Sequence, residues 1–190
     1  MSKKDKFDQA IAYYSKIIES NPCDFRAYNN RGNAYQQRGD YDLSITDYDK
    51  ALELNPSFDL CYINRGNTYH KTGNYERAVS DYDKAILLNP ENAMAYNNRG
   101  FLFVLMRKYG EAEKDIKKSI KLNENNIYAL NSMAEFYAAQ SHASEACRWL
   151  KKAIAKGYNN WLYIRSSHTY DNIRTADCFK ELIKTIGDRR

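Results

Sequence analysis

The sequence predicts an all-α fold, a right-handed α-solenoid of helix-turn-helix repeats, and three observations carry that prediction. Asn21-Pro22, Asn55-Pro56 and Asn89-Pro90 recur every 34 residues, with Asn123-Glu124 in the next slot. Asn30-Arg31-Gly32, Asn64-Arg65-Gly66 and Asn98-Arg99-Gly100 keep the same period, as do Tyr28, Tyr62, Tyr96 and Tyr35, Tyr69, Phe103. Within one period, Tyr28, Gly32 and Tyr35 stand at i, i+4 and i+7, and Ser44, Tyr48 and Ala51 do the same further on, so each period holds two helices with one apolar face apiece. A repeat of this length built from two helices buries its faces only by stacking on its neighbours.

Taken in order, residues 1–22 come first, where Phe7, Ala10, Tyr14, Ile17 and Pro22 read as the second helix of a unit without its first. Such a helix is a remnant of a longer chain, a cap, or a surface covered by a second molecule. Units then follow at 23–56, 57–90 and 91–124, and a more divergent one at 125–158 is readable through Leu130, Ala134, Tyr137, Ala146, Leu150 and Ala153. Between the helices of the first unit lies Arg38-Gly39-Asp40, where the glycine closes one helix and the aspartate is expected to cap the next. Glycine at 32 and the small Ser44 or Ala78 let paired helices approach, while tyrosines fill the space around them. Proline at the end of a unit stops the second helix and sets the angle to the next. Residues 159–190, with Trp161, Leu162, Ile173, Phe179, Leu182 and Ile183, read as a C-terminal cap with a helix near 175–186. The whole chain, 1–190, is expected to form one elongated domain.

Tyr62, Gly66, Tyr69, Ala78, Tyr82, Ala85 and Pro90 supply in order a bulky aromatic, a small residue, an aromatic, a second small residue, an aromatic, alanine and proline. This resembles the signature of the tetratricopeptide repeat, and the segment from Gly157-Tyr158 onward resembles the closing tail of many bacterial members. The resemblance implies a non-enzymatic scaffold that binds a protein or an extended peptide on the concave face lined by the first helices.

On those helices the outward positions are asparagines. Asn30, Asn64 and Asn98 recur at the repeat period, Asn33 and Asn67 stand one turn further on, Asn29 and Asn97 flank them, and Gln37 and Lys71 extend the stripe, with Arg26 and Lys71 at its margins. An asparagine side chain offers an acceptor and two donors, so a spaced row of them suits the main chain of an extended peptide whatever its side chains. At Asn30, Asn64 and Asn98 this resembles the asparagine ladder in the tetratricopeptide superhelix of the O-GlcNAc transferases. A second binding mode of the family, the carboxylate clamp for chaperone tails, fits poorly: Asn33 and Asn64 match its neutral positions, but Asn29, Met94 and Asn98 stand where basic residues belong.

Arg31, Arg65 and Arg99 are each followed sixteen residues later by Asp47, Asp81 or Asp115, whereas the unit with Met133 has Trp149 there. Charge goes with charge and apolar with apolar, which assigns these arginines to ion pairs within the repeats and not to a ligand.

Composition bounds the rest. The net charge of +5 lies in the second half: residues 1–106 hold 13 Lys+Arg against 14 Asp+Glu, and residues 107–190 hold 16 against 10. Lys114, Lys117, Lys118 and Lys121, then Lys151, Lys152 and Lys156, are expected to form solvated second-helix faces, with an acidic partner or nucleic acid as the less favoured use. Most of the 17 tyrosines sit at repeat core positions, not where they could stack on bases. Cys23, Cys61, Cys147 and Cys178 show no CxxC spacing, which suggests neither zinc nor a dense disulfide framework and fits a reducing, cytoplasmic setting. Cys147 reads as core and Cys61 as partly exposed. His70, His142 and His168 accompany no catalytic or phosphate-binding motif, no cofactor is implied, and no run of residues is apolar enough to span a membrane. Self-assembly through the unpaired first helix is the alternative role.

Overall fold

The computed structural model describes residues 3–187, and these are helical with connecting turns. They divide into two compact units, one ending at Glu91 and the other beginning at Asn92.

The first unit contains α1 (Lys3–Ser20), α2 (Phe25–Arg38), α3 (Tyr41–Leu54), α4 (Asp59–Lys71) and α5 (Tyr75–Leu88). Helices α2 with α3 and α4 with α5 form hairpins, α4 stacks on α2 and α3, and α1 packs on α2. Asp24 starts α2, its side chain accepting from the main-chain N–H groups of Arg26 and Ala27. The hairpin turns need left-handed backbone, which Gly39 and Gly73 supply at φ 98° and 78°. Asp40 does not cap α3 through its side chain; Arg38 takes that carboxylate instead and also bonds Asp8 of α1. Tyr48 and Tyr82 are wholly buried, and each lies over a glycine of the facing helix.

At Gly66 a Cβ atom would stand 2.8 Å from Cε1 of Tyr82. Gly66→Val is therefore expected to cost about 1–3 kcal/mol, because the buried ring has nowhere to go, whereas Gly110→Ala, which meets open space, should be neutral or slightly stabilising. Urea midpoints of the two variants against the native protein test this. Equal midpoints would mean that the helix pair yields at the tyrosine.

The second unit contains α6 (Ala93–Leu105), α7 (Tyr109–Leu122), α8 (Ile127–Ala139), α9 (Ala143–Ala155), α10 (Trp161–Ser166), a 3₁₀ helix (His168–Ile173) and α11 (Asp177–Gly187). Asn92 and Asn126 cap α6 and α8 as Asp24 caps α2. At the turn positions held by glycine in the first unit stand Arg107 and Ser141, both still left-handed. Helices α10 and α11 begin 34 residues after α8 and α9, so the repeat period runs on into the C-terminal segment. The first of these helices breaks early: Ser167 is extended, and the 3₁₀ helix that follows turns onto α8. Ile164, Tyr170, Ile173, Phe179 and Leu182 share one core with Leu130, Ala134, Ala146, Leu150 and Ala153.

One cysteine expectation is corrected and one is extended. Cys147 is core, but it is also disulfide-bonded to Cys178, tying α9 to α11; a single bridge across 31 residues leaves no spacing motif to read. Cys61 is wholly buried, not partly exposed, and burial pushes its thiol up to about 12.

Candidate functional site

The helix pairs are clasped by guanidinium–carboxylate contacts. Arg31 donates Nε to Asp47 Oδ2 at 2.7 Å and Nη2 to Oδ1 at 2.7 Å. Arg65 meets Asp81 in the same two-pronged way at 2.9 and 2.6 Å, and Arg99 meets Asp115 at 2.6 and 2.9 Å. The planar fork of arginine matches a carboxylate edge, so these bonds fix geometry as well as charge. Each guanidinium also lies over two aromatic rings of its own helix, Tyr62 and Tyr69 in the case of Arg65. A further prong reaches the preceding repeat: Arg31 to Ser15, Arg65 to Asp49. Burial pushes the Asp81 carboxyl up, and the bonds from Arg65 pull it back only in part. In the fourth hairpin Met133 and Trp149 belong to one apolar cluster at the equivalent place.

In the first unit the asparagines form a partly exposed stripe on α2 and α4, and about half of their polar atoms are already engaged. Tyr48 Oη donates to Asn33 Oδ1 at 2.7 Å, and Tyr82 Oη donates to Asn67 Oδ1 at 2.8 Å, which turns both amides to a fixed orientation. Asn30 Oδ1 accepts from Asn29 Nδ2, and Asn64 Nδ2 donates to Asn29 Oδ1 at 3.0 Å. Among the described residues nothing takes the Nδ2 donors of Asn30 and Asn33 or gives to Asn64 Oδ1, so the stripe presents donors from α2 and an acceptor from α4. Asn29 is buried and serves as the strut between Asn30 and Asn64, so it is not part of the exposed row. Asn97 is buried likewise.

At the end of the stripe Gln36 is buried, donating to Thr68 Oγ1 at 2.6 Å and to the Asn64 carbonyl, while Gln37 is exposed. Lys71 is exposed and its Nζ lies 3.4 Å from Gln36 Oε1; burial of that end of the helix holds its pKa below the ordinary lysine value. His70 is half-buried, and burial first, then Lys71, lowers its pKa. Arg26 is exposed at the opposite end.

In the second unit the same helical register reads Met94, Asn98, Phe101 and Leu105 on α6. Asn98 is partly exposed and Met94 is exposed, so the face turns apolar around one asparagine. On α8 the register holds Ser132 and Glu135, both buried. Glu135 is the residue that the sequence reading passes over. A lone carboxylate inside the otherwise apolar and small run of α8 is the signal that marks it.

Lys114, Lys117, Lys121, Lys151, Lys152 and Lys156 are exposed, with Lys118 partly so. Among the described residues no group of His, Cys, Asp and Glu could hold a metal ion, and no helix is long and apolar enough to cross a membrane.

Models of the tetratricopeptide repeat match residues 25–58, 93–126 and 47–80, and a TPR repeat model matches 66–106. No curated protein matches the sequence. The crystal structure of MamA is 25% identical at a TM-score of 0.68, covering 82% of this chain and 95% of that one. The first TPR of Spaghetti (RPAP3), bound to the HSP90 peptide SRMEEVD, is 29% identical at a TM-score of 0.59, covering 62% of this chain and 93% of that one. TTC0263 from Thermus thermophilus, described as a thermophilic TPR protein, shares the fold at 20% identity and a TM-score of 0.72, over 84% and 88% of the two proteins. Repeated matches over residues 25–126, hairpins of 34-residue period and these structural neighbours agree: the chain belongs to the tetratricopeptide repeat family.

Proposed function

We propose that this protein is an interaction scaffold without an enzymatic role, which holds an extended segment of a protein partner on its first helices. The carrying observation is the set of amide groups on α2 and α4 that the fold orients and leaves unsatisfied: Nδ2 of Asn30 and Asn33, and Oδ1 of Asn64. Donors and acceptors of this kind suit the carbonyl and N–H groups of a peptide backbone, and they select by backbone shape more than by side chain. Asn67 and Asn98 carry amides at the corresponding repeat positions, and Arg26 and Lys71 mark the ends of the stripe. The first TPR of Spaghetti is bound to a peptide, which supports a peptide ligand for this chain. The neutral stripe argues against a partner chosen for a strongly acidic tail. Arg31, Arg65 and Arg99 are assigned to the hairpins, since their donors are spent on Asp47, Asp81 and Asp115.

The test starts from 12-residue peptides selected from a random display library on the native protein. In calorimetric titration the variant carrying Asn30→Ala, Asn64→Ala and Asn98→Ala should bind them tenfold or more weakly, because each lost hydrogen bond is worth about 0.5–1.5 kcal/mol. Far-UV circular dichroism should remain unchanged. Equal affinity in the two proteins would remove the asparagines from the binding surface.

A further inference from the structure

Glu135 stands on α8 at the register that Asn33 and Asn67 hold on α2 and α4, and it is only 2% exposed. Its carboxylate takes three bonds, all from neutral groups. Tyr163 Oη and Thr169 Oγ1 donate to Oε1 at 2.6 and 2.7 Å, and Asn131 Nδ2 donates to Oε2 at 2.8 Å. Asn131 Oδ1 in turn accepts from Tyr170 Oη at 2.8 Å. Tyr163 belongs to α10, and Thr169 and Tyr170 belong to the 3₁₀ helix, so the C-terminal segment covers the face of α8 that carries Asn131 and Glu135, while Met133 and Phe136 are buried against Val104, Ala112 and Ile116.

No lysine, arginine or histidine among the described residues bonds this carboxylate. The titratable groups that bear on it are Tyr163 from α10, Tyr170 from the 3₁₀ helix and Tyr158 from the turn after α9. Of the charged groups along the covering segment, Asp171 bonds His168 and Arg174, His168 is almost fully exposed, and Arg165 is exposed. A buried carboxylate with no counter-charge is costly to keep ionised, whereas hydroxyl partners can rotate to accept from the protonated acid.

The covering segment is a short, distinct stretch of chain. It consists of a six-residue helix and a 3₁₀ helix joined through the extended Ser167, with the buried Tyr158 before it and α11 after it, the latter fastened to α9 by Cys147–Cys178. Arg174 ties the stretch together internally through Asp171 and the carbonyls of Arg165 and Ser167, and short terminal elements open more easily than the long helices they cover.

We propose that residues 159–174 form a proton-gated cover over α8, shut most tightly when Glu135 is protonated and loosened as the carboxyl ionises. Lifting the cover bares Asn131, Ser132 and Glu135 beside the α6 face that carries Asn98, which adds polar groups next to a face that is otherwise apolar. The gate stands on the α8 contacts alone and does not depend on the asparagine stripe binding a peptide.

Burial raises the Glu135 carboxyl to about 7, against the pull of its three hydrogen bonds and the ordinary value of 4.5. A carboxyl raised in the closed form gives stability that is full below 4.5 and is lost as pH rises toward 7, above which both forms are ionised. Opening is then favoured about tenfold per pH unit across that window, roughly 300-fold in all, and is flat beyond it.

Hydrogen–deuterium exchange on the full oxidised protein from pH 4 to 8.5, corrected for intrinsic rates and referenced to α9, reads the opening directly. Protection over 159–174 is expected to fall by that factor and then level off near pH 7. Glu135→Gln, which cannot ionise, should hold the cover shut with no pH dependence. Protection that does not change with pH in the native protein, or a pH dependence that survives in Glu135→Gln, would overturn the gate. If Glu135→Gln fails to fold by circular dichroism, Tyr163→Phe serves instead. Loss of its donor should raise the carboxyl further and move the levelling point to higher pH, and an unmoved point would equally overturn the proposal.

Discussion

Replacing Arg65 with methionine is expected to destabilise the protein by about 3–5 kcal/mol, since it strands the Asp81 carboxylate in a site where it is 4% exposed. The arginine supplies both charge and two of the bonds that satisfy that carboxylate, and its third prong holds Asp49 of the preceding repeat. Removal of the second partner should reverse most of the loss: Arg65→Met with Asp81→Leu puts apolar side chains on both sides, as Met133 and Trp149 do in the fourth hairpin. The single variant carries its own signature in pH. The Asp81 carboxyl is already raised by burial despite Arg65; without the arginine it rises further, so the stability of the variant should improve as pH falls and Asp81 takes up a proton. Urea unfolding followed by far-UV circular dichroism at pH 5 and pH 7 measures all three effects. A loss below about 1 kcal/mol, with no recovery in the double variant, would mean that the carboxylate reaches water and that the pair contributes little.

Cys178→Ser is expected to cost about 3.5–4 kcal/mol of stability in the C-terminal segment, the chain-entropy value for opening a loop of 31 residues. The same loss should follow when a dithiol reductant is added to the native protein, and the reductant should leave the variant unchanged. Trp149 and Trp161 both pack against the core that holds Cys147, so tryptophan emission during urea unfolding reports on this region. Native protein whose unfolding curve is indifferent to reductant would show that the packing of Phe179, Leu182 and Ile173 fixes α11 without the bridge.

Much of the architecture is legible because each repeat meets the same packing problem. A glycine at 32 or 66 is demanded by a tyrosine at 48 or 82, and the pair recurs with the period, so a single unit read against its neighbours exposes the rule. The charge relations are legible in the same way. Arginine at 31, 65 and 99 travels with aspartate sixteen residues on, and methionine at 133 travels with tryptophan at 149, an exchange that only a shared neighbourhood enforces.

Other features lie beyond a periodic reading. Asn29 and Asn30 are adjacent and chemically identical, yet one residue turns a helix by about 100°, and stacking of α4 on α2 buries the first as a strut while leaving the second partly exposed. Asp40 has the sequence of a cap, but the nearby Arg38 competes for its carboxylate. Cys147 and Cys178 carry no spacing signal, because the bridge depends on where α11 returns to α9. The amino-acid sequence by itself determined the helices, their period and their internal clasps, all of which are set by contacts that recur at fixed intervals along the chain. Only the tertiary structure decided which asparagines remain partly exposed and that Glu135 is sealed beneath residues 159–174, because the first depends on how α4 stacks on α2 and the second on a segment that breaks the repeat.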